Sequence, residues 1–469
     1  MHMKVSLSDF VFLRQYGPFV YVVDSRRHID RVYRHAEPFL RNLSRAPVEV
    51  DEIVALLREV FPDVSERILR EDLEELLSSL HKDGLIKYAN EDRYVNLSRR
   101  VVAGGNALKE STSDLFDVYF HENPTVFALQ IEVIYNCNER CIHCYIPGSA
   151  VGVLPLGKVK EVIDEFVLHG GLILTLSGGE CLLHPDIIEI LNYAHSKDLI
   201  VKILSNLTLC TENILATIKA TSAEVQTSLY SMIPEEHDRI TRKKGSFFLT
   251  KEALLALRRE GVMCSISCPV MRDNKDAFPS VYEFAKTNGM MAKMDFMIIA
   301  QMDGCVNNLG CRVSLVQAKR LLVWNTLKSI EENKEYFSAY FNKERSDNSD
   351  WTERHPCSAC VSRLCIGANG DYYPCPGFGG YVLGNCYHDS MDWVWRKSEA
   401  TLKMRSVVGR DFHKCFNCRY RSFCSVCLCR NYNETGNMFM PSNYTCDVAK
   451  IHKDIIDGMR ANKFDINDN

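Results

Sequence analysis

The sequence predicts an α/β chain: a partial (β/α)6 barrel, preceded by a small winged helix-turn-helix domain and followed by a cysteine-rich domain. Three observations predict it. Between about 125 and 300, apolar strand-like runs alternate with amphipathic helical runs, the pattern of a parallel sheet with crossover helices. The first 95 residues instead place two amphipathic helices ahead of short strands. The twenty cysteines of the 469 residues are also unevenly spread, with none before Cys137 and eleven from Cys357 to Cys446.

Composition narrows the classes. A hydrophobic fraction of 46% and a charged fraction of 25% are those of an ordinary globular protein. The net charge of −4 gives no electrostatic case for nucleic acid as a main partner. No apolar run reaches the roughly 18 residues of a membrane span, and the N-terminus lacks signal-peptide features, so a cytoplasmic protein is expected. In a reducing compartment, close-spaced cysteines are metal ligands before they are disulfides.

Residues 1–95 form the first domain. Phe19–Val23 reads as a strand. Pro47 to Glu52 opens a helix through Ile53, Leu56, Leu57 and Val60, and a second carries Ile68, Leu69, Leu73, Leu76, Leu77 and Leu80 up to Gly84. Leu85–Tyr88 gives a strand with which Arg93-Tyr94-Val95 is expected to pair as a wing. A DNA-reading role fits poorly, because the 66–82 helix carries Glu66, Glu71, Asp72, Glu74 and Glu75 against a phosphate backbone. Residues 96–124 read as a linker.

Residues 125–311 carry six strand runs: Ala128–Ile134, Leu172–Leu176, Val201–Leu204, Val225–Leu229, Met263–Cys268 and Met294–Ile299. Six are too few for a closed eight-stranded barrel, and active groups of such sheets sit at the carboxyl ends of the strands. Cys268 ends one strand and is a candidate to face the cavity. Residues 312–354 bridge to the cysteine-rich domain at 355–447, and 448–469 form a terminal helix or tail.

Immediately after the first strand comes Cys137-x3-Cys141-x2-Cys144, with the ring of His143 before the third cysteine. Three thiolates are one short of the four that close an iron–sulfur cube, so one iron would stay open; a zinc knuckle with His143 as fourth ligand is the other reading. The spacing resembles the CxxxCxxC signature of radical S-adenosylmethionine (SAM) enzymes. That resemblance implies a [4Fe–4S] cluster on Cys137, Cys141 and Cys144 and cleavage of SAM to methionine and a 5′-deoxyadenosyl radical. It also implies SAM contacts from His143, from Ser177-Gly178-Gly179-Glu180 after the second strand, from Ser205-Asn206 after the third, and from Ser228 at the end of the fourth. In the family's GGE element, the acid holds the SAM amino group.

The C-terminal cysteines, with Gly370-x4-Cys375 and Cys415-x2-Cys418-x5-Cys424, resemble a SPASM domain, which holds two auxiliary [4Fe–4S] clusters. The resemblance implies Cys357, Cys375, Cys360 or Cys365, and Cys427 or Cys429 for the first, and Cys415, Cys418, Cys424 and Cys446 for the second. The family's x3 spacing after Cys424 falls between Cys427 and Cys429, so the first set stays open. Together, the parts resemble a radical SAM/SPASM peptide maturase with a PqqD-like N-terminal domain that binds the leader of a precursor peptide as an added strand. The expected product is an intramolecular thioether or C–C cross-link. Single-residue oxidation or epimerisation is the alternative enzyme chemistry, and an Fe–S-sensing winged-helix regulator the alternative outside enzymes. The expected partners are the precursor peptide and a flavodoxin- or ferredoxin-like electron donor, with neither nucleic acid nor membrane.

Overall fold

The computed structural model describes residues 3–89, 118–332 and 349–460. Two compact units divide the chain, Met1–Asp117 and Val118–Asn469.

In the first unit, alternating apolar residues build a meander of β2 (Val11–Tyr16), β3 (Phe19–Asp24) and β4 (Ile29–Arg34), in the order β2-β3-β4. A second small sheet pairs β1 (Lys4–Leu7) with β5 (Val48–Glu49) and β6 (Ile86–Tyr88). The helices are α1 (Glu37–Leu40), α2 (Val50–Val60) and α3 (Glu66–Lys82). Ser65 caps α3 by accepting from the Ile68 amide. Leu69, Leu73, Leu77 and Leu80 recur on one α3 face and are buried with Ile53, Val54 and Leu57 of α2. Each such burial contributes about 1.5–3 kcal/mol. Both predicted helices are therefore present, but the strand at Phe19 belongs to a three-stranded meander. The partner of β6 is β1, and the expected Arg93–Val95 pairing lies outside the described residues.

The second unit is organised by a nine-stranded sheet. Its parallel part comprises β7 (Ala128–Ile134), β8 (Ile173–Gly178), β9 (Ile200–Leu204), β10 (Glu224–Ser228), β11 (Cys264–Pro269) and β12 (Met291–Asp295). Crossover helices follow the strands: α4 (Leu156–Leu168), α5 (Ile187–Ser196), α6 (Glu212–Ala220), α7 (Pro234–Thr241), α8 (Ser246–Arg259) and α9 (Phe278–Thr287). The parallel register puts Leu129, Ile131, Leu174, Leu176, Val201, Ile203, Val225, Cys264 and Ile266 on one face, buried in a common core with Val159, Val162, Ile163 and Phe166 of α4. The opposite face carries Gln130, Glu132, Thr175, Ser177, Lys202, Gln226, Ser228, Ser265 and Ser267. Cys268 falls on the apolar face, fully buried, with its thiol directed at the Tyr230 carbonyl; the expectation that it faces a cavity is corrected by this alternation.

One feature of the sheet is absent from the sequence reading. β13 (Arg363–Ile366) pairs in parallel with β7, and β14 (Asp371–Tyr373) and β15 (Gly384–Asn385) extend the sheet from there. The cysteine-rich region is thus built onto the barrel sheet. Helices α10 (Leu315–Glu332), α11 (Met391–Arg396), α12 (Glu399–Arg405), α13 (Leu428–Thr435) and α14 (Asn443–Arg460) complete the unit. None of the described helices is long and apolar enough to cross a membrane.

Candidate active site and metal centres

The loop Cys137–Cys144 leaves the carboxyl end of β7 and is held from several sides. Amides of Arg140 and Ile142 donate to the carbonyls of Thr241 (3.0 Å) and Ile240 (3.1 Å), at the end of α7. Asn308, buried beyond β12, donates its side-chain amide to the carbonyls of His143 (3.1 Å) and Ile299 (2.8 Å). Asn138 is tied to Asn206 and Thr208, each at 2.8 Å.

The Gly178-Gly179 turn provides the closest contact. Gly179 N–H donates to the Ile134 carbonyl (2.7 Å) and Glu180 N–H to the Asn136 carbonyl (3.0 Å). A Cβ on Gly178, whose φ is +131°, would stand 2.1 Å from the Ile134 oxygen, and one on Gly179 would stand 2.2 Å from that of Tyr135. The glycines therefore allow the turn to lie against the backbone that launches the cysteine loop. Glu180 is fully buried and accepts from Leu182 N–H (2.9 Å), the Ser205 hydroxyl (2.7 Å) and Asn206 N–H (2.7 Å). Burial pushes its carboxyl up, and these donors pull it back. Glu180 thus ties the glycine turn to the end of β9.

The remaining predicted contacts divide by exposure. Ser177 is buried, its hydroxyl accepting from Gln130 (2.8 Å) on the neighbouring strand. Ser205 is spent on Glu180 and on the Leu207 amide. Asn206 and the half-buried Ser228 keep the positions at the ends of β9 and β10 that the sequence expects. His143 Nε2 lies 3.0 Å from the Tyr230 hydroxyl, which lies 3.7 Å from Cys141 Sγ. Burial drives the His143 pKa down to about 4, so the ring is neutral near pH 7. With Nε2 engaged by Tyr230, Nδ1 is the ring's remaining nitrogen. Glu139, also buried, faces Cys141 Sγ at 3.5 Å, and its pKa rises to about 7, chiefly through burial. The donor set at this loop is three thiols, which suits a cube with one iron left open for SAM.

Two residues here escaped the sequence reading. Tyr145 donates to Glu132 (2.7 Å), a fully buried carboxyl on the polar face of β7. A lone acid inside the apolar run Ile131-Glu132-Val133 was the available signal. The Tyr145 ring also lies 3.3 Å from where a Gly377 Cβ would be, and Cys429 Sγ lies 3.7 Å from the same point. The first loop and the C-terminal thiols meet there.

The C-terminal thiols form two groups. Cys415, Cys418, Cys424 and Cys446 lie within electrostatic reach of one another. In the other group, Cys375 contacts Cys429 and is also influenced by Cys427 and Cys357. Cys360 answers to Arg405 and Cys357, while Cys365 sits on β13 opposite Gln130 and answers to Glu132 and Cys429. Cys427 and Cys429 both lie in the electrostatic neighbourhood of Cys357 and Cys375, so the choice between them, and that between Cys360 and Cys365, stays open. A complete cube takes four thiolates.

Comparison with known proteins agrees with this geometry. Residues 131–285 match the radical SAM superfamily, and residues 357–427 match the SPASM iron–sulfur cluster-binding domain. The AdoMet-dependent heme synthase of Methanosarcina barkeri is 26% identical over 336 residues, covering 67% of this chain and 94% of that protein. The subtilosin biosynthesis protein AlbA of Bacillus subtilis is 24% identical over 382 residues, covering 79% of this chain and 80% of that protein. Among solved structures, Streptococcus suis SuiB bound to its precursor peptide SuiA superposes with a TM-score of 0.62 at 15% identity, covering 94% of this chain and 99% of SuiB.

Proposed function

We propose, from the premise that this chain is a radical SAM enzyme with a SPASM domain, that it modifies a ribosomally made precursor peptide. The radical SAM domain binds SAM and one [4Fe–4S] cluster, and the SPASM domain binds further clusters. When bound, SAM and its cluster supply a carbon-centred radical that takes hydrogen from an unactivated C–H bond. For this chain, Cys137, Cys141 and Cys144 would hold that cluster, and Asn206, Ser228 and the Gly178–Glu180 turn would border the SAM. Cys357, Cys375, Cys427 and Cys429 would hold one auxiliary cluster, and Cys415, Cys418, Cys424 and Cys446 the other. Extra clusters suit a net two-electron oxidation, which favours a thioether or C–C cross-link over redox-neutral epimerisation.

The observation that carries the peptide reading is the N-terminal unit. Its β4 is an edge strand among the described residues, touching the last turn of α3 and its cap: Arg31 pairs with Asp83 at 2.8 Å, and Tyr33 meets Ser79. His35 N–H donates to the Pro18 carbonyl, so by antiparallel alternation the amides of Asp30, Val32 and Arg34 point away from β3. An extended leader could add there as a fourth strand. The AlbA and SuiB likenesses support this reading. At 94% coverage, the SuiB likeness must include most of this unit, whereas the heme synthase likeness at 67% can be met without it.

Co-expression with a candidate precursor tests the function: a mass loss of about two units per bond is expected, from removal of two hydrogens. No mass change would reject cross-linking. Val32→Pro, which removes an outward amide of β4, should weaken peptide binding at least tenfold while 5′-deoxyadenosine release continues. Unchanged binding would remove β4 from the reading.

A further inference from the structure

Arg430 lies in the first turn of α13, between Cys429 and Asn431, and is 8% exposed. Its Nε and Nη1 are buried without a hydrogen-bond partner. The nearest acid along the helix, Glu434 one turn on, is taken by Arg312: Nη1 bonds it at 3.1 Å, and the two side chains are 9% and 5% exposed. None of the described ion pairs includes Arg430. Arg421, the other nearby cation, is already engaged, donating to the Cys424 carbonyl (2.8 Å) and stacking 4.1 Å above the Trp351 ring.

A buried guanidinium without an anion is costly, by several kcal/mol per ion. Helix α13 nevertheless places one where the two thiol groups adjoin. The Arg430 backbone amide donates to Cys427 Sγ at 3.4 Å, so α13 starts on the first group, and the guanidinium charge is felt at Cys427. Its charge is also felt at Cys424 in the second group. Four thiolates around an iron–sulfur cube leave it net negative, and more negative when reduced. A cation whose donors are free and whose acid partner is absent is therefore matched to such a cube.

We propose that Arg430 is a tuning residue shared by the two auxiliary clusters: its guanidinium donates Nε–H and Nη1–H to cluster sulfur and stabilises the reduced state, raising the reduction potential of the auxiliary pair. The proposal rests on the two thiol groups each holding a cluster. Its effect is on the electron affinity of the centres, since hydrogen bonds and charge at the sulfurs set iron–sulfur potentials.

The test uses the full-length chain with Cys137, Cys141 and Cys144 changed to Ala, reconstituted anaerobically so that only the auxiliary centres report. Arg430→Gln and Arg430→Lys are compared with this parent by iron analysis and by potentiometric titration followed by electron paramagnetic resonance. About eight irons per chain are expected in all three proteins. At the solution potential that half-reduces the parent, Arg430→Gln should show a reduced-to-oxidised ratio at least tenfold lower, about 59 mV for one electron. Arg430→Lys should keep most of the parent's ratio. Full iron with the parent's potential in Arg430→Gln would overturn the proposal. So would a Lys variant shifted as far as Gln, or a Gln variant that loses iron while its remaining cluster titrates normally. A parent well short of eight irons would instead overturn the ligand reading beneath it.

Discussion

Cys137, Cys141 and Cys144 stand on a loop whose backbone is hydrogen-bonded to the end of α7, to Asn308 beyond β12 and to the glycine turn after β8. Several C-terminal thiols are held instead by local backbone bonds: the amides of Cys415, Cys418, Cys424 and Cys446 donate to the carbonyls of Phe412, Cys415, Arg421 and Ser442. They stand on short helices and turns and, for Cys446, on the first turn of the long α14. In the first region, then, distant elements brace the backbone of the loop. In the second, the bonds are local, and metal binding free energy can serve as folding free energy. The proposed ligand sets also differ in size: three thiols against four and four.

The contrast can be broken most directly at the ligands. Changing Cys137, Cys141 and Cys144 to Ala together should reduce 5′-deoxyadenosine to background, with about four of about twelve irons lost and the fold retained. Release of deoxyadenosine at the parent rate would sink the mechanism. Next in size is Gly179→Ala, which touches no ligand. Its Cβ would meet the Tyr135 oxygen at 2.2 Å, and overpacking against backbone should cost about 3 kcal/mol or more. We expect a lowered melting temperature and SAM cleavage reduced at least 100-fold; near-normal values would mean that the loop is not braced from that side. The smallest effects sharpen the other half. Cys429→Ala should remove about four irons from the chain, whereas Cys365→Ala should leave the iron count unchanged. The reverse result would reassign the ligand set.

Much of the barrel was legible in its sequence because burial on one face gives strands and helices different periods. The run Ala128–Ile134 was located to the residue, and the next four strands to within about two. The sixth was expected at Met294–Ile299 but lies at Met291–Asp295. Phe296 and Ile298 are apolar because they are buried after the strand ends, so hydrophobicity alone shifted the reading. β13 was missed for another reason. It is only four residues long, Arg-Leu-Cys-Ile, and its cysteine invited a ligand reading instead of a strand one. In the N-terminal unit, β4 reads Ile-Asp-Arg-Val-Tyr-Arg, and its charges obscure a half-exposed edge strand. Within the site, spacing located the three thiols and the glycine turn. It could not show that Glu180 also accepts from Leu182, Ser205 and Asn206, or that Arg430 Nε and Nη1 are left without a partner, since both depend on which groups the fold brings near.

The parallel pairing of β13 with β7 has a practical consequence. Arg363 to Ile366 run in register with Ala128 to Ile131, the strand whose end launches the first cysteine loop. The cysteine-rich region therefore cannot be treated as a detachable module. A chimera that joins this barrel to another protein's C-terminal region would have to carry over a strand matched to β7, residue for residue. A cut in the bridging segment between α10 and β13 preserves the domains as drawn along the sequence and yet severs the sheet. Recombination that respects the ladder would instead move β7, its loop and β13 together, as a single heritable block.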